Sequence, residues 1–235
     1  MNITYIYHSC FLVETNECYY LFDYYKGSLP VLNTDKPILV FASHRHGDHY
    51  NPEIFDLLKA QGMKQITAVL AKDIPVKRYP MDTEAIKVTF HQTYELPCHT
   101  TLKTLLSTDA GVAFLIECPE GIIYHAGDLN DWVWEGESEQ YNKQMTGSYR
   151  HEIDMLKGIQ IDVAFLPLDP RQEKNYANGI LYFLQKIEVK KAVPMHYWEQ
   201  PEIIAKFLEE YPEYQETVIP LSTATGVIHL PIASD

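Results

Sequence analysis

Val40-Phe41-Ala42-Ser43-His44-Arg45-His46-Gly47-Asp48-His49-Tyr50 sets three histidines and an aspartate within six residues, in the order His-x-His-x-Asp-His, directly behind the β-type run Pro37-Ile38-Leu39-Val40-Phe41. Side chains two residues apart in an extended chain point the same way, so His44 and His46 can converge on one ion. Gly47 lets the backbone bend. Beyond the bend, Asp48 and His49 can offer one oxygen and one nitrogen to a second ion close by. A solvated polar loop is the plain alternative, but it gives no reason for this order of residues, which matches ligand chemistry.

Outward from this stretch, the first residues alternate apolar and polar through Ile3-Tyr5-Tyr7 and Phe11-Val13 and then run Cys18 to Asp23, which predicts three antiparallel strands with turns near His8-Ser9 and Thr15-Asn16. Behind the cluster, Asn51-Pro52-Glu53 reads as a helix start, with Asn51 capping, Pro52 at the first helical position and a run to Ala60 before Gly62. A cluster between a strand end and a helix start lies at a sheet rim, where α/β proteins keep their sites. Further strands are expected at Ile66 to Leu70, Ala85 to Phe90, Gly111 to Glu117 and Ile122 to His125, the last two joined by the turn Cys118-Pro119-Glu120-Gly121.

The stretch from Asp128 to Arg150 is polar and aromatic and reads as an insertion, about 129–150, over the sheet rim. A short helix around His151 to Lys157 follows, then a strand Ile161 to Leu166, a helix near Asn178 to Ile187, a strand Lys191 to Val193 and a helix from Pro201. Two short strands, around Thr217 to Ile219 and Gly226 to Leu230, close the chain. Strands dominate the first half and strand-helix alternation the second, without a linker. That pattern predicts an α/β (α+β) fold of two mixed sheets packed together with helices outside, as a single domain over 1–235.

With 235 residues, 46% apolar and 22% charged, the chain can bury a sizeable core. A formal charge of -13 disfavours sequence-independent binding to a phosphate backbone, so no nucleic-acid partner is expected. No secretory signal is visible and no apolar run is long enough for a bilayer, so the expectation is a cytoplasmic protein without a membrane partner. Cys10, Cys18, Cys98 and Cys118 show no paired spacing and read as reduced core-fillers.

Other candidate ligands stand at strand ends. Asp128 follows a strand and Gly127, where a carboxylate can bridge two cations with one oxygen to each. His196 follows Pro194 at the end of a short strand, and a neutral imidazole there is a natural ligand. His125 and His8 read as packed residues or supports of ligands. His91, His151 and His229 read as structural or surface residues. Arg171, in Asp169-Pro170-Arg171, can hold an anionic substrate group or pair with Asp169. Trp132 and Trp134 can line a pocket or cap the core.

Taken together, these motifs resemble the metallo-β-lactamase fold superfamily, and within it the branch of metal-dependent hydrolases that includes the ascorbate-phosphate lactonase-like proteins. His44-x-His46-x-Asp48-His49 stands at the first motif, Tyr124-His125-Ala126-Gly127-Asp128 at the glycine-aspartate motif, and Pro194-Met195-His196-Tyr197 at the last histidine motif. His8-Ser9-Cys10-Phe11 and Leu21-Phe22-Asp23 also look like this branch. The resemblance implies a four-layer αββα sandwich with one or two divalent ions at the rim between the sheets. It departs at the first site's third ligand. Where most of the superfamily has a histidine, this chain reads Ser107-Thr108-Asp109-Ala110-Gly111. Asp109 is nearer the expected place, while His99 can reach in from further up the loop; an unfilled position and His91 remain the other readings. Oxygen in place of nitrogen makes a harder site, tilted from zinc towards manganese or iron.

The implied chemistry is hydrolysis by a metal-activated water of a small ester, lactone or phosphate-bearing substrate, with Asp48 and Asp128 as catalytic residues. The alternatives are a phosphodiesterase of the same fold, or a metal-binding protein that has lost catalysis. A secreted β-lactamase lacks support because no export signal is seen. Nucleic-acid-processing and flavin-coupled diiron relatives would need further domains, and glyoxalase-type activity normally goes with the missing histidine. The expected partner is a small-molecule substrate, and a homo-oligomer is compatible with the sequence.

Overall fold

The computed structural model describes residues 1–221 and the backbone of 227–229. Three antiparallel strands open the chain: β1 (Asn2–Tyr7), β2 (Cys10–Glu14) and β3 (Tyr19–Phe22). β4 (Ile38–Ala42), β5 (Ile66–Ala71) and β6 (Glu84–Val88) then add in parallel, with α1 (Glu53–Ala60) between β4 and β5. Every residue of β4 is buried, as expected for a strand flanked by parallel partners in a covered sheet. α1 starts one residue later than expected, although Asn51 Oδ1 still accepts the Glu53 N–H at 3.1 Å.

A second run of strands builds the other sheet: β7 (Thr93–Leu96), β8 (Thr100–Leu106), β9 (Val112–Cys118) and β10 (Gly121–His125) pair antiparallel in order. After α2 (Glu139–Asp154) comes β11 (Gln160–Pro167). α3 (Asn178–Lys186) then leads to β12 (Glu188–Met195), and both strands add in parallel. α4 (Glu202–Glu210) follows, and β13 (Val227–His229) returns to the first sheet beside β1. The strand orders are β13-β1-β2-β3-β4-β5-β6 and β12-β11-β10-β9-β8-β7. The first six strands and β13 therefore make one mixed sheet and β7 to β12 the other, and the two sheets flanked by helices are the fold expected from sequence.

Rings fill the space between the sheets. Phe11 lies 4.4 Å from Phe165, Phe41 5.2 Å from Phe114, and Tyr20 OH meets Thr100 Oγ1 at 2.7 Å, each pair joining one sheet to the other. Burying such a ring contributes roughly 1.5–3 kcal/mol, so this layer alone gives the sheets reason to stay docked. On the outer side of the second sheet, Phe183 of α3 packs 4.9 Å from Tyr124.

Several expectations are corrected. The β7–β8 hairpin was not foreseen. The aromatic stretch is irregular only to Glu137, after which Ser138 caps α2, accepting from the Tyr141 N–H, and the helix runs through the region read as insertion and short helix. The strand expected at Thr217 to Ile219 is a single bridge between Ala192 and Val218. Gly226 and Leu230, the expected ends of the last strand, lie outside the described residues. Among the described residues no helix is long and apolar enough to cross a membrane, and all four cysteines are free.

Candidate metal centre

The rim where the parallel strands end gathers the chemistry. Asp23 follows β3, the Ser43–Tyr50 loop follows β4, Asp128 follows β10, Asp169 follows β11 and His196 follows β12. The β1–β2 turn brings His8, and the β8–β9 turn brings Asp109. Ser43, fully buried, is the piece against which these loops close. Gly111 (φ 69°) lets the β8–β9 turn press on it: a Cβ there would stand 1.9 Å from the Ser43 carbonyl oxygen, which accepts the Val112 N–H at 2.9 Å. Gly127 (φ 52°) presses from the other side, where a Cβ would come within 2.7 Å of the Ser43 Cβ.

Two groups of ligand-type side chains result. His44, His46, Asp109 and Asp128 form one, and His8, Asp48, His49 and His196 the other, with donor atoms in each group within 4.8 Å of one another. Asp128 sits between them. Its Oδ2 is 3.4 Å from His44 Nε2, while its Oδ1 is 3.1 Å from His49 Nε2 and 3.3 Å from His196 Nε2.

Neighbouring acceptors set the tautomers. Asp23 accepts from the Ser43 N–H (2.7 Å), the Ser43 hydroxyl (2.6 Å) and His49 Nδ1 (2.7 Å). Because the single Ser43 hydroxyl proton goes to Asp23, His44 Nδ1–H must donate to Ser43 Oγ, 3.0 Å away. Asp169 accepts from His196 Nδ1 at 3.0 Å and from Arg171 Nε and Nη2. These partners fix Nδ1 as the proton-bearing nitrogen of each ring, so in its neutral form each of the three imidazoles carries its lone pair on Nε2, the nitrogen turned towards Asp128.

This arrangement fits cations. His44 Nε2, His49 Nε2, Asp128 Oδ1 and both ring nitrogens of His8 are buried without a hydrogen-bond partner, a costly state that metal ligation removes. Electrostatics ask for positive charge in the same place. Burial alone would lower the His49 pKa, but Asp128 and Asp23 outweigh it and hold it well above the ordinary value. Burial would raise Asp128, yet His49, His196 and His44 hold it well below the carboxylate range. His44 is pushed down to about 4, by burial and then by His49. Burial and the Asp128 charge raise Asp109.

The remaining expected residues fall as follows. Asp109 is the residue brought to His44 and His46, with its Oδ2 3.7 Å from His46 Nδ1. His99, the rival, is 85% exposed beside Glu17 in the β7–β8 turn, at the opposite end of β8. His91 bonds Glu152. His125 donates from Nε2 to the Ser9 carbonyl and accepts the Gly127 N–H, so it props the turn before Asp128. Trp132 Nε1 donates to the Asp128 carbonyl at 2.8 Å, and its ring stacks parallel to Trp134 at 5.9 Å. Arg171 pairs with Asp169 and lies 4.6 Å over Trp198. Asp23 and Trp198 had no expected role in the site. A carboxylate directly behind the apolar run Tyr19–Phe22 was the available signal for Asp23.

A cavity of about 280 Å³ opens on both groups, walled by Trp132, Trp134, Trp198, Arg171, Tyr141 and Met145. A larger one of about 640 Å³ runs along α2 and shares Thr108, Tyr141 and Met145 with it. Of the two, only the smaller is lined by residues of the two ligand-type groups.

Comparison with known proteins identifies the family and the fold. The family described as the beta-lactamase superfamily domain matches residues 2–196. A UPF0173 metal-dependent hydrolase of Pyrobaculum islandicum is 26% identical over 209 residues, covering 84% of this chain and 84% of that one. Among solved structures, a metallo hydrolase from the archaeon Ignicoccus hospitalis superposes with a TM-score of 0.64 at 18% identity, covering 98% of this chain and 99% of that one. CmlA, a diiron β-hydroxylase from Streptomyces venezuelae, superposes with a TM-score of 0.62 at 13% identity, over 97% of this chain and 54% of that one. At these identities the two structures speak to the fold.

Proposed function

The chain belongs to the beta-lactamase superfamily, and from that premise we propose that it is a metal-dependent hydrolase of a small ester, lactone or phosphate-bearing substrate. The observation that carries the reading is the shared carboxylate: Asp128 divides its two oxygens between two groups of ligand-type side chains whose imidazole lone pairs are already turned inwards. The similar Pyrobaculum islandicum protein, described as a metal-dependent hydrolase, supports the same reading.

In this reading His44, His46, Asp109 and Asp128 hold one divalent ion, and Asp48, His49, His196 and Asp128 the other. Such ions supply Lewis acidity and lower the pKa of a bound water towards neutrality. Asp48, 27% exposed at the cavity wall, orients the attacking water and carries its proton to the leaving group. Asp23 and Asp169 keep His49 and His196 in register from behind. Trp132, Trp134 and Trp198 wall the cavity and limit its water. Arg171 keeps donors beyond those that Asp169 takes, so it can meet a carboxylate or phosphate on the substrate. The oxygen of Asp109, where nitrogen was expected, favours manganese or iron over zinc.

The cavity volume suits a small molecule, and a formal charge of -13 opposes a polyanion, so we read the substrate as a small molecule and not a nucleic acid. The test is metal analysis with turnover of a p-nitrophenyl ester, a lactone and bis-p-nitrophenyl phosphate after loading with zinc, manganese or iron. Two bound ions, turnover on one of these substrates and its loss in Asp48→Ala are expected. Full occupancy without turnover on any of them would replace the hydrolase with a metal-binding protein.

A further inference from the structure

We infer that His8 is a further protein ligand of the group formed by Asp48, His49 and His196, which makes the two cation positions unequal: one more buried, one more exposed. This rests on reading the two groups as a metal centre.

His8 lies in the β1–β2 turn and is 1% exposed. Its φ of 56° is a left-handed conformation that costs a non-glycine residue on the order of 1 kcal/mol. Tyr5 OH accepts the His8 N–H at 2.9 Å and holds the backbone there. The ring sits 4.3 Å from that of His196, 4.5 Å from Trp198 and 5.6 Å from His49. Its Nε2 is 3.6 Å from Asp48 Oδ2, on the inner side of the group.

What sets His8 apart is that neither ring nitrogen has a hydrogen-bond partner. His44, His49 and His196 each have Nδ1 engaged and Nε2 turned towards Asp128, as a ligand prepared by a support should. A packing role would favour an apolar residue here, because two bare nitrogens in a dry site cost roughly 1–3 kcal/mol. A role as a hydrogen-bonded support requires a partner for Nδ1 or Nε2, and none is in place. A cation in the group removes that cost at Nε2 and gives the strained turn a function.

The consequence is asymmetry. His8, His49 and His196 are all buried around one position. Asp48 of that group is 27% exposed, and across Asp128 the buried His44 is joined by His46 and Asp109, 44% and 50% exposed. The cavity touches both positions, but the one at His8 has the more buried set of ligand-type residues and the one at His46 and Asp109 the more exposed.

Two measurements on cobalt-loaded protein test this. In the wild type, hyperfine-shifted signals from isotope-labelled histidine should show five coordinated rings: His8, His44, His46, His49 and His196. Four rings would overturn the inference. Chelator competition should then show His8→Ala losing roughly 100-fold or more in affinity for one ion while the other is unchanged, and His46→Ala weakening the opposite ion. Equal melting of the chelated wild-type and His8→Ala proteins shows that the variant folds. Two wild-type ions with four coordinated rings and unchanged affinities in His8→Ala would sink this inference alone. A wild type that takes up no ion would sink it together with the metal-centre reading.

Discussion

His49 Nδ1 donates to Asp23 Oδ2 over 2.7 Å, and neither side chain has exposed surface. The same carboxylate takes the N–H and the hydroxyl of Ser43, so it fixes one imidazole directly and His44 through the serine. In Asp23→Asn an amide NH2 would face a donor whichever way it turned. We expect a loss of roughly 10–100-fold in metal affinity, and about 1–3 kcal/mol of stability in the chelated protein. Chelator competition reads the first and denaturant melts in EDTA the second.

Asp169 holds His196 from the outer side of the same centre. Burial would raise its pKa, but hydrogen bonds from His196 and Arg171 bring it down to about 2 from 3.8. A carboxylate with a depressed folded pKa adds stability that is complete above the unfolded pKa and lost as pH falls through the folded one. For Asp169 that window runs from about pH 4 to about pH 2, and the shift corresponds to about 2 kcal/mol. Metal-free wild type should lose this contribution on acidification and Asp169→Asn should not, so their melting temperatures should converge towards pH 2.

Gly111→Ala should strike one position before the other. Its Cβ would overlap the Ser43 carbonyl oxygen at 1.9 Å, and the turn cannot keep its φ of 69° with an alanine at low cost. The left-handed conformation alone costs about 1–3 kcal/mol. Relief requires the β8–β9 turn to move, taking Asp109 from His46. Metal titration should show one ion weakened and the other retained; uniform weakening of both would contradict the close fit at Ser43.

Trp134 and Trp132 should separate by their effects. Trp134 lines the cavity, whereas Trp132 also bonds the Asp128 carbonyl. Trp134→Ala should raise KM by about 2–10-fold with kcat kept, from a lost ring contact worth about 0.5–1.5 kcal/mol. Trp132→Ala should lower kcat and stability as well.

Removing the metal should itself destabilise the protein. Each ion present at 100 times its Kd adds about 3 kcal/mol, and its loss leaves the buried imidazole nitrogens bare. Differential scanning calorimetry with and without EDTA checks this, and an unchanged Tm would contradict a bound cation.

The part of the centre legible in the sequence is the part whose signal is local. His44, His46, Asp48 and His49 share one loop, and Asp128 and His196 each stand directly behind an apolar strand. Asp23 and Asp169 stand in the same relation to β3 and β11, but only the assembled rim shows which histidine each one faces. His8 needed long-range packing to join the group. β8 was missed because threonines occupy two of its inward positions, Thr100 and Thr104, which hides the period-two pattern. α2 was misread because only Tyr149, Glu152 and Ile153 are buried along it, too few for a helical stripe.

The division of the ligand-type residues between the two sheets has a bearing on how the molecule assembles. His44 and His46 come from loops of the first sheet and Asp109 and Asp128 from loops of the second; His8, Asp48 and His49 come from the first and His196 from the second. Neither sheet supplies all the residues of either group. A cation at either position would thus gain its full set of ligands only once the two sheets have docked, which would tie its retention to the packing of one sheet on the other.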